Sequence, residues 1–121
     1  MGGDILVLSP VIVVLVFVVL DIVTGLAKAF ATSGFNSSIM REGFFHKLGE
    51  VLTVVLAYAV DYGLPQVGVP LDIHVSGLSC VYLVLMEVGS IIENIGAINP
   101  DLVGPLGKIF VKLRGEDNDL E

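Results

Sequence analysis

The feature that most constrains this sequence is a charge-free apolar run from Ile5 to Leu20. Continued as a helix to about residue 30, the run is long enough to cross the roughly 30 Å hydrocarbon layer of a membrane. Pro10 falls in the first turns, where a proline disrupts a helix least. A signal peptide would carry a basic segment before its apolar core, whereas the first charged residue here is Asp4. We therefore expect a retained membrane helix over about 5–30.

Two further apolar stretches predict two more membrane spans. The stretch over about 48–64 has a short charge-free interior, Val51 to Val60, so a re-entrant segment is an alternative to a full span. The stretch over 75–98 ends at Asn99-Pro100, because the residue before a proline is pushed out of helical geometry. The composition, 55% hydrophobic and 16% charged, also departs from that of soluble domains. The sequence predicts an all-α integral membrane protein.

The segment after the third apolar stretch has a different pattern. Apolar residues spaced three and four apart predict a short amphipathic helix over about 101–114. We expect this helix to lie along the membrane interface with Lys108, Lys112 and Arg114; the alternative is that its apolar stripe docks on the ends of the other helices. Residues 115–121 are rich in acids and are expected to be a disordered tail. Residues 1–114 then form a single membrane domain.

The basic residues predict how the chain is oriented. Arg41 and Lys47 fall in the first connection and three bases follow the third helix, whereas the connection over 65–74 has none. Positive residues collect on the cytoplasmic side of a membrane. We therefore expect the N-terminus outside, the C-terminus inside, and a cytoplasmic basic loop that contains Arg41 and Lys47.

Polar residues inside the predicted spans are candidate functional residues, because a charge at the centre of a membrane helix costs about 2.5–3.5 kcal/mol on insertion scales. Glu87 falls near the middle of the third helix and shares a face with residues three and seven positions later. The first helix has a similar face that includes Asp21 and Lys28, and each of these residues is expected to pair with another helix or subunit. For Asp61 a hydrated helix terminus is the simpler interpretation. These residues are expected to face protein or water and not lipid; the predicted polar face comprises Glu87, Ser90, Glu93, Asn94, Asp21, Thr24, Lys28 and Asp61.

Small residues in the first helix predict close packing. Gly25, Ala29 and Ser33 repeat at four-residue spacing, a pattern that lets helices approach closely. Their role is either an oligomer interface or an accidental spacing in a glycine-rich chain. Cys80, the single cysteine, is expected to be an apolar packing residue.

The sequence offers little support for catalysis or for nucleic-acid binding. It contains no glycine-rich phosphate loop, nucleophile elbow or paired-cysteine motif. His46 and Glu50 have a spacing that metal ligands can have, but His74 is expected on the other side of the membrane, so we predict no metal site and no cofactor. The formal net charge of -7 argues against a nucleic-acid partner.

Several motifs in order carry a family resemblance. They are DIVTGLAKA over 21–29, SS and MREG over 37–43 with Lys47, Asp61, and EVGSIIEN over 87–94 followed by Pro100. Together they resemble the phage lysis holins, a family that also includes toxin-secretion holins. The resemblance implies a small, non-enzymatic protein that accumulates in the bacterial cytoplasmic membrane, self-associates, and opens pores through which a cell-wall hydrolase (endolysin) or a toxin leaves the cell.

Other functions fit the residues without the resemblance. The same intramembrane acids would suit a small ion channel or an accessory subunit of a transporter. A membrane adaptor that recruits a soluble partner through its basic loop is a third hypothesis. The acidic tail departs from the basic C-terminus that is common among holins.

Overall fold

A computed structural model describes residues 9–32, 34–102 and 104–113, and over these residues it is helical with no strands. Three of the helices are long and apolar enough to cross a membrane, as predicted. Ser33, Arg114, the start of the first expected span and the acidic tail lie outside the described residues. The helices are α1 (Pro10–Thr32), α2 (Ser37–Gly63), α3 (Val75–Ile98) and α4 (Gly104–Leu113), with short 3-10 turns at Leu64–Val67 and Pro100–Leu102.

Helix α2 begins well before the expected residue 48. The Asn36 side chain accepts hydrogen bonds from the backbone N–H groups of Ser38 (2.9 Å) and Ile39 (3.3 Å) and so caps the helix at its N-terminus. Arg41 and Lys47 consequently lie on a helix, and the prediction that they belong to a loop was wrong. The first turns of this helix are polar, so the apolar pattern did not predict them. The capping residue Asn36 was nevertheless present in the sequence as a signal for the start of the helix.

The contacts between the long helices define their relative directions. Val14 and Val18 of α1 pack with Cys80 and Leu83 of α3, together with Val54 of α2. Further along the chain, Asp21 contacts Asn94, so α1 and α3 run parallel. Lys47 contacts Glu87 while Asp61 contacts Val75, so α2 runs antiparallel to both. This up-down-up order is what three successive spans require.

Burial in this bundle is the reverse of burial in a soluble protein. Large apolar side chains such as Leu56, Leu78 and Val81 face outward, each about 60% exposed. Glu87, by contrast, is only 1% exposed. Soluble domains rarely expose continuous apolar surface on this scale, and they seldom bury an acid this completely. The arrangement is the one expected where the outer surface meets lipid.

Candidate functional site: a buried ion cluster between three helices

Lys47 joins the three long helices. From α2, its Nζ donates hydrogen bonds to Oδ2 of Asp21 on α1 and to both carboxylate oxygens of Glu87 on α3, at 2.6 and 2.7 Å. The Lys47 side chain is 16% exposed and that of Asp21 is 12% exposed. A lysine and two acids that would each be costly in lipid therefore satisfy one another inside a single chain.

Glu50 is a further acid in the same place. One of its oxygens lies 3.5 Å from Lys47 Nζ and the other lies 3.4 Å from His46 Nε2. Although the side chain is 5% exposed, neither oxygen has a hydrogen-bond partner among the described residues. We refer to Asp21, Lys47, Glu50 and Glu87 as the ion cluster.

The ion cluster lies at mid-height in the bundle. Asp21 is the middle residue of Pro10–Thr32, Glu50 is the middle residue of Ser37–Gly63, and Glu87 lies next to the middle of Val75–Ile98. The cluster holds three carboxylates and one ammonium group, so acids outnumber bases where solvation is poorest. Such an imbalance is expensive in a low-dielectric interior and marks a candidate functional site.

Asn94 extends the cluster toward the end of α3. Its Nδ2 donates to Oδ1 of Asp21 at 2.9 Å and to Oγ1 of Thr24 at 3.0 Å. A Cβ atom added at Gly25 would lie 3.6 Å from the same nitrogen, an ordinary contact distance, so Asn94 packs against α1 at this residue. The sequence predicted two separate polar faces, one on each helix. The structure brings their residues together between α1 and α3, namely Asp21, Thr24, Glu87 and Asn94.

Other residues predicted for the polar face, for helix packing or for the interfacial helix make no contact with the ion cluster among those described above. Ser90 is half-buried on α3, and Ala29 is half-buried on α1. Glu93 and Lys28 are exposed on their helices. Outside the three long helices, Lys108 and Lys112 are exposed on α4.

Asp61 has a different role from the cluster. Its carboxylate accepts hydrogen bonds from the backbone N–H groups of Val75 (2.8 Å) and Ser76 (3.0 Å) and from the Ser76 hydroxyl. His74 Nδ1 lies 3.9 Å away. Asp61 therefore binds the otherwise unpaired N–H groups at the start of α3 and joins the C-terminal end of α2 to the N-terminal end of α3. Its side chain is 6% exposed, although its neighbour Tyr62 and the nearby His74 are exposed.

Sequence reasoning missed the inward position of Lys47 and the buried state of Glu50. The signal available was a lysine and an acid three residues apart at the border of an apolar stretch, a spacing that places both on one helix face. The four-residue spacing of His46 and Glu50 is also one that metal ligands on a helix can have. Among the residues that the structure describes, no group of three or more His, Cys, Asp or Glu side chains is arranged to hold a metal ion.

Comparison with known proteins identifies the family of this chain. The family model of the bacteriophage holin family matches residues 6–115, nearly the whole chain. The chain belongs to the bacteriophage holin family. Holins are a non-enzymatic class of pore-forming membrane proteins, in agreement with the three span-length helices.

A curated relative gives no further detail on the activity of this family member. An uncharacterized protein of Halalkalibacterium halodurans is 27% identical over 106 residues, which cover 88% of this chain and 78% of the relative. No solved structure gives a significant match.

Proposed function

We propose that this holin-family protein permeabilises the bacterial cytoplasmic membrane as a homo-oligomer, so that an endolysin or a toxin leaves the cell. The endolysin or toxin need not contact the protein directly. The observation that carries the proposal is the ion cluster at mid-height in a bundle with an apolar exterior. Family membership supplies the class of activity.

The ion cluster supports a two-stage behaviour. In the single chain, Lys47 satisfies Asp21 and Glu87 internally, so each copy can reside in the membrane without opening it. When many copies assemble, the same polar groups can exchange their partners for those of neighbouring copies or for water. The polar face of the assembly would then be formed by Asp21, Thr24, Lys28, Asp61, Glu87, Ser90, Glu93 and Asn94. The helices would pack closely at the small residues Gly25, Ala29 and Ser33.

The proposal includes an orientation. The C-terminus and the connection between α1 and α2 face the cytoplasm, and the connection between α2 and α3 faces outward. Support comes from Arg41 near the start of α2 and from Lys108 and Lys112 on α4, all exposed, since positive residues collect on the cytoplasmic side. In this orientation α4, with Arg114 after it, lies along the inner surface of the membrane.

The surplus of acids over bases in the ion cluster favours a second candidate function. A small ion channel, or an accessory subunit of a transporter, would use Glu50 and Glu87 to attract cations. The two functions differ in the size of what they let pass, because an ion channel depolarises the cell without releasing a folded protein.

Inducible expression in a bacterium that holds a muralytic enzyme without a secretion signal in its cytoplasm tests the proposal. We expect abrupt loss of turbidity after a delay, with the enzyme in the medium, against an enzyme-only control. Depolarisation without enzyme release would favour the ion channel. No change in permeability would contradict both and would leave the membrane adaptor.

A further inference from the structure

A groove beside the ion cluster carries an inference about how two copies meet, and it rests on the proposed homo-oligomer. The groove lies between α2 and α3, has a volume of about 370 Å³, and is lined by His46, Glu50 and Thr53 on one side and by Ser79 and Tyr82 on the other. We call it the Glu50 groove.

The acid in this groove lacks a donor. Both oxygens of Glu50 are buried without a hydrogen-bond partner among the described residues, and the nearby His46 and Lys47 nitrogens stand at 3.4 and 3.5 Å. Lys47 already donates to Asp21 and to both oxygens of Glu87. A buried carboxylate without a donor is expensive, and lipid chains cannot supply one. A donor from a neighbouring molecule in the membrane would satisfy it.

Tyr82 presents a suitable donor on the same face. Its side chain is 63% exposed although it lines the groove, and its hydroxyl can donate one hydrogen bond. In lipid this hydroxyl also needs a partner. Tyr82 thus presents a donor at the surface of the groove, whereas the unpaired acceptor atoms of Glu50 lie beneath that surface. The Glu50 side chain must therefore turn toward the groove to meet a donor from outside the chain.

Tyr82 and Glu50 lie at similar heights along the axis of the bundle. Tyr82 precedes Glu87 by five residues, and Glu50 follows Lys47 by three on the antiparallel α2. At a rise of about 1.5 Å per residue, the two positions lie roughly 7.5 and 4.5 Å from the Lys47–Glu87 contact in the same direction. The difference of about 3 Å is shorter than a tyrosine side chain, so two copies at equal depth can bring these groups together.

We infer that the Glu50 groove is the interface with a second copy of this chain, in which each Tyr82 hydroxyl donates to Glu50 of the other copy. A two-fold axis along the membrane normal produces both hydrogen bonds at once, because residues in such an interface contact one another reciprocally. His46, 59% exposed at the rim of the groove, faces the second copy as well.

Crosslinking of the full chain in lipid vesicles tests this interface without any lytic readout. In a background where the single cysteine is removed by Cys80→Ala, Ser79→Cys places a thiol in the groove. Val81→Cys is the matched control, since it lies on the same helix, is 59% exposed, and does not line the groove. With a short bis-maleimide at low protein-to-lipid ratio, we expect dimer from Ser79→Cys at several times the yield from Val81→Cys.

The hydrogen bond itself is tested by Tyr82→Phe in the Ser79→Cys background. Loss of two symmetric hydrogen bonds in a membrane corresponds to a roughly tenfold lower dimer yield at limiting protein density. Tyr62→Phe, 73% exposed and outside the groove, should leave the yield unchanged. Once Glu50→Leu has removed the acceptor, Tyr82→Phe should have no further effect.

Two results would overturn the interface: equal crosslinking of Ser79→Cys and Val81→Cys, or full crosslinking with Tyr82→Phe. Crosslinking as expected in a protein that releases no enzyme from cells would instead preserve the interface and contradict the proposed lytic function. The two failures are therefore distinguishable.

Discussion

The ammonium group of Lys47 contacts acids from two other helices. Among the described residues, Asp21 and Glu87 have no other cation within 4 Å. Each acid gains a charge-assisted hydrogen bond at the point where the surroundings offer little solvation. The stability of the three-helix arrangement therefore depends strongly on a single side chain.

Replacing this lysine with an apolar residue of similar length should weaken the bundle. Lys47→Met leaves Asp21 and Glu87 buried without a cation, and breaking a buried ion pair in this way costs about 3–5 kcal/mol. We expect a lower midpoint of thermal unfolding in detergent micelles, measured by circular dichroism. Arg41→Met is the control, because Arg41 is exposed on the same helix and should change the midpoint little. Equal midpoints for the two variants would show that the cluster does not stabilise the fold.

Sequence patterns located two acids of the ion cluster better than they located its lysine or its third acid, Glu50. Asp21 and Glu87 stood out because each interrupts an apolar run, where a charge is costly. Lys47 stood at the edge of such a run, where a basic residue usually marks the cytoplasmic side. Only the position of α2 against α1 and α3 shows that this lysine turns inward.

At the scale of helices, the boundary signals differed in strength. Helix α3 occupies Val75–Ile98, the range expected from the sequence, because apolar residues fill it and Asn99-Pro100 ends it. Helix α2 begins at Ser37 because Asn36 caps it, although its first turns are polar. Apolar runs thus locate the part of a helix that meets lipid, whereas caps locate where the helix begins.

The start of α3 depends on an acid from the preceding helix. Asp61→Ala removes the acceptor for the N–H groups of Val75 and Ser76, and each lost hydrogen bond is worth about 1 kcal/mol. We expect roughly tenfold faster amide hydrogen exchange at these two residues in lipid nanodiscs. Asp72→Ala, which removes an exposed acid from the same connection, should leave their exchange unchanged. If the two variants exchange alike, Asp61 does not hold the start of α3.

At the scale of the whole molecule, the antiparallel α2 places the two connections at opposite ends of the bundle. Residues 34–36 join α1 to α2 at one end, and residues 68–74 join the 3-10 turn to α3 at the other. A membrane-spanning bundle of this kind must therefore expose its two connections on opposite sides.

Cysteine labelling before the onset of lysis tests the orientation. In the Cys80→Ala background, we expect Val69→Cys, in the outer connection, to react with a membrane-impermeant maleimide on intact cells. Ser38→Cys, near the inner connection, should react only after the cells are permeabilised. The reverse pattern would overturn the orientation, and reaction of both from outside would contradict a spanning α2.

The sharing of one lysine by acids on two other helices also bears on the evolution of this family. Loss of the lysine at position 47 alone leaves Asp21 and Glu87 buried without a cation, and a change at either acid alters the negative charge around Lys47. Tolerated substitutions must then come in combination, for example an uncharged residue at 47 together with amides or apolar residues at 21 and 87. Across related chains these three positions, distant in sequence, should vary as one unit.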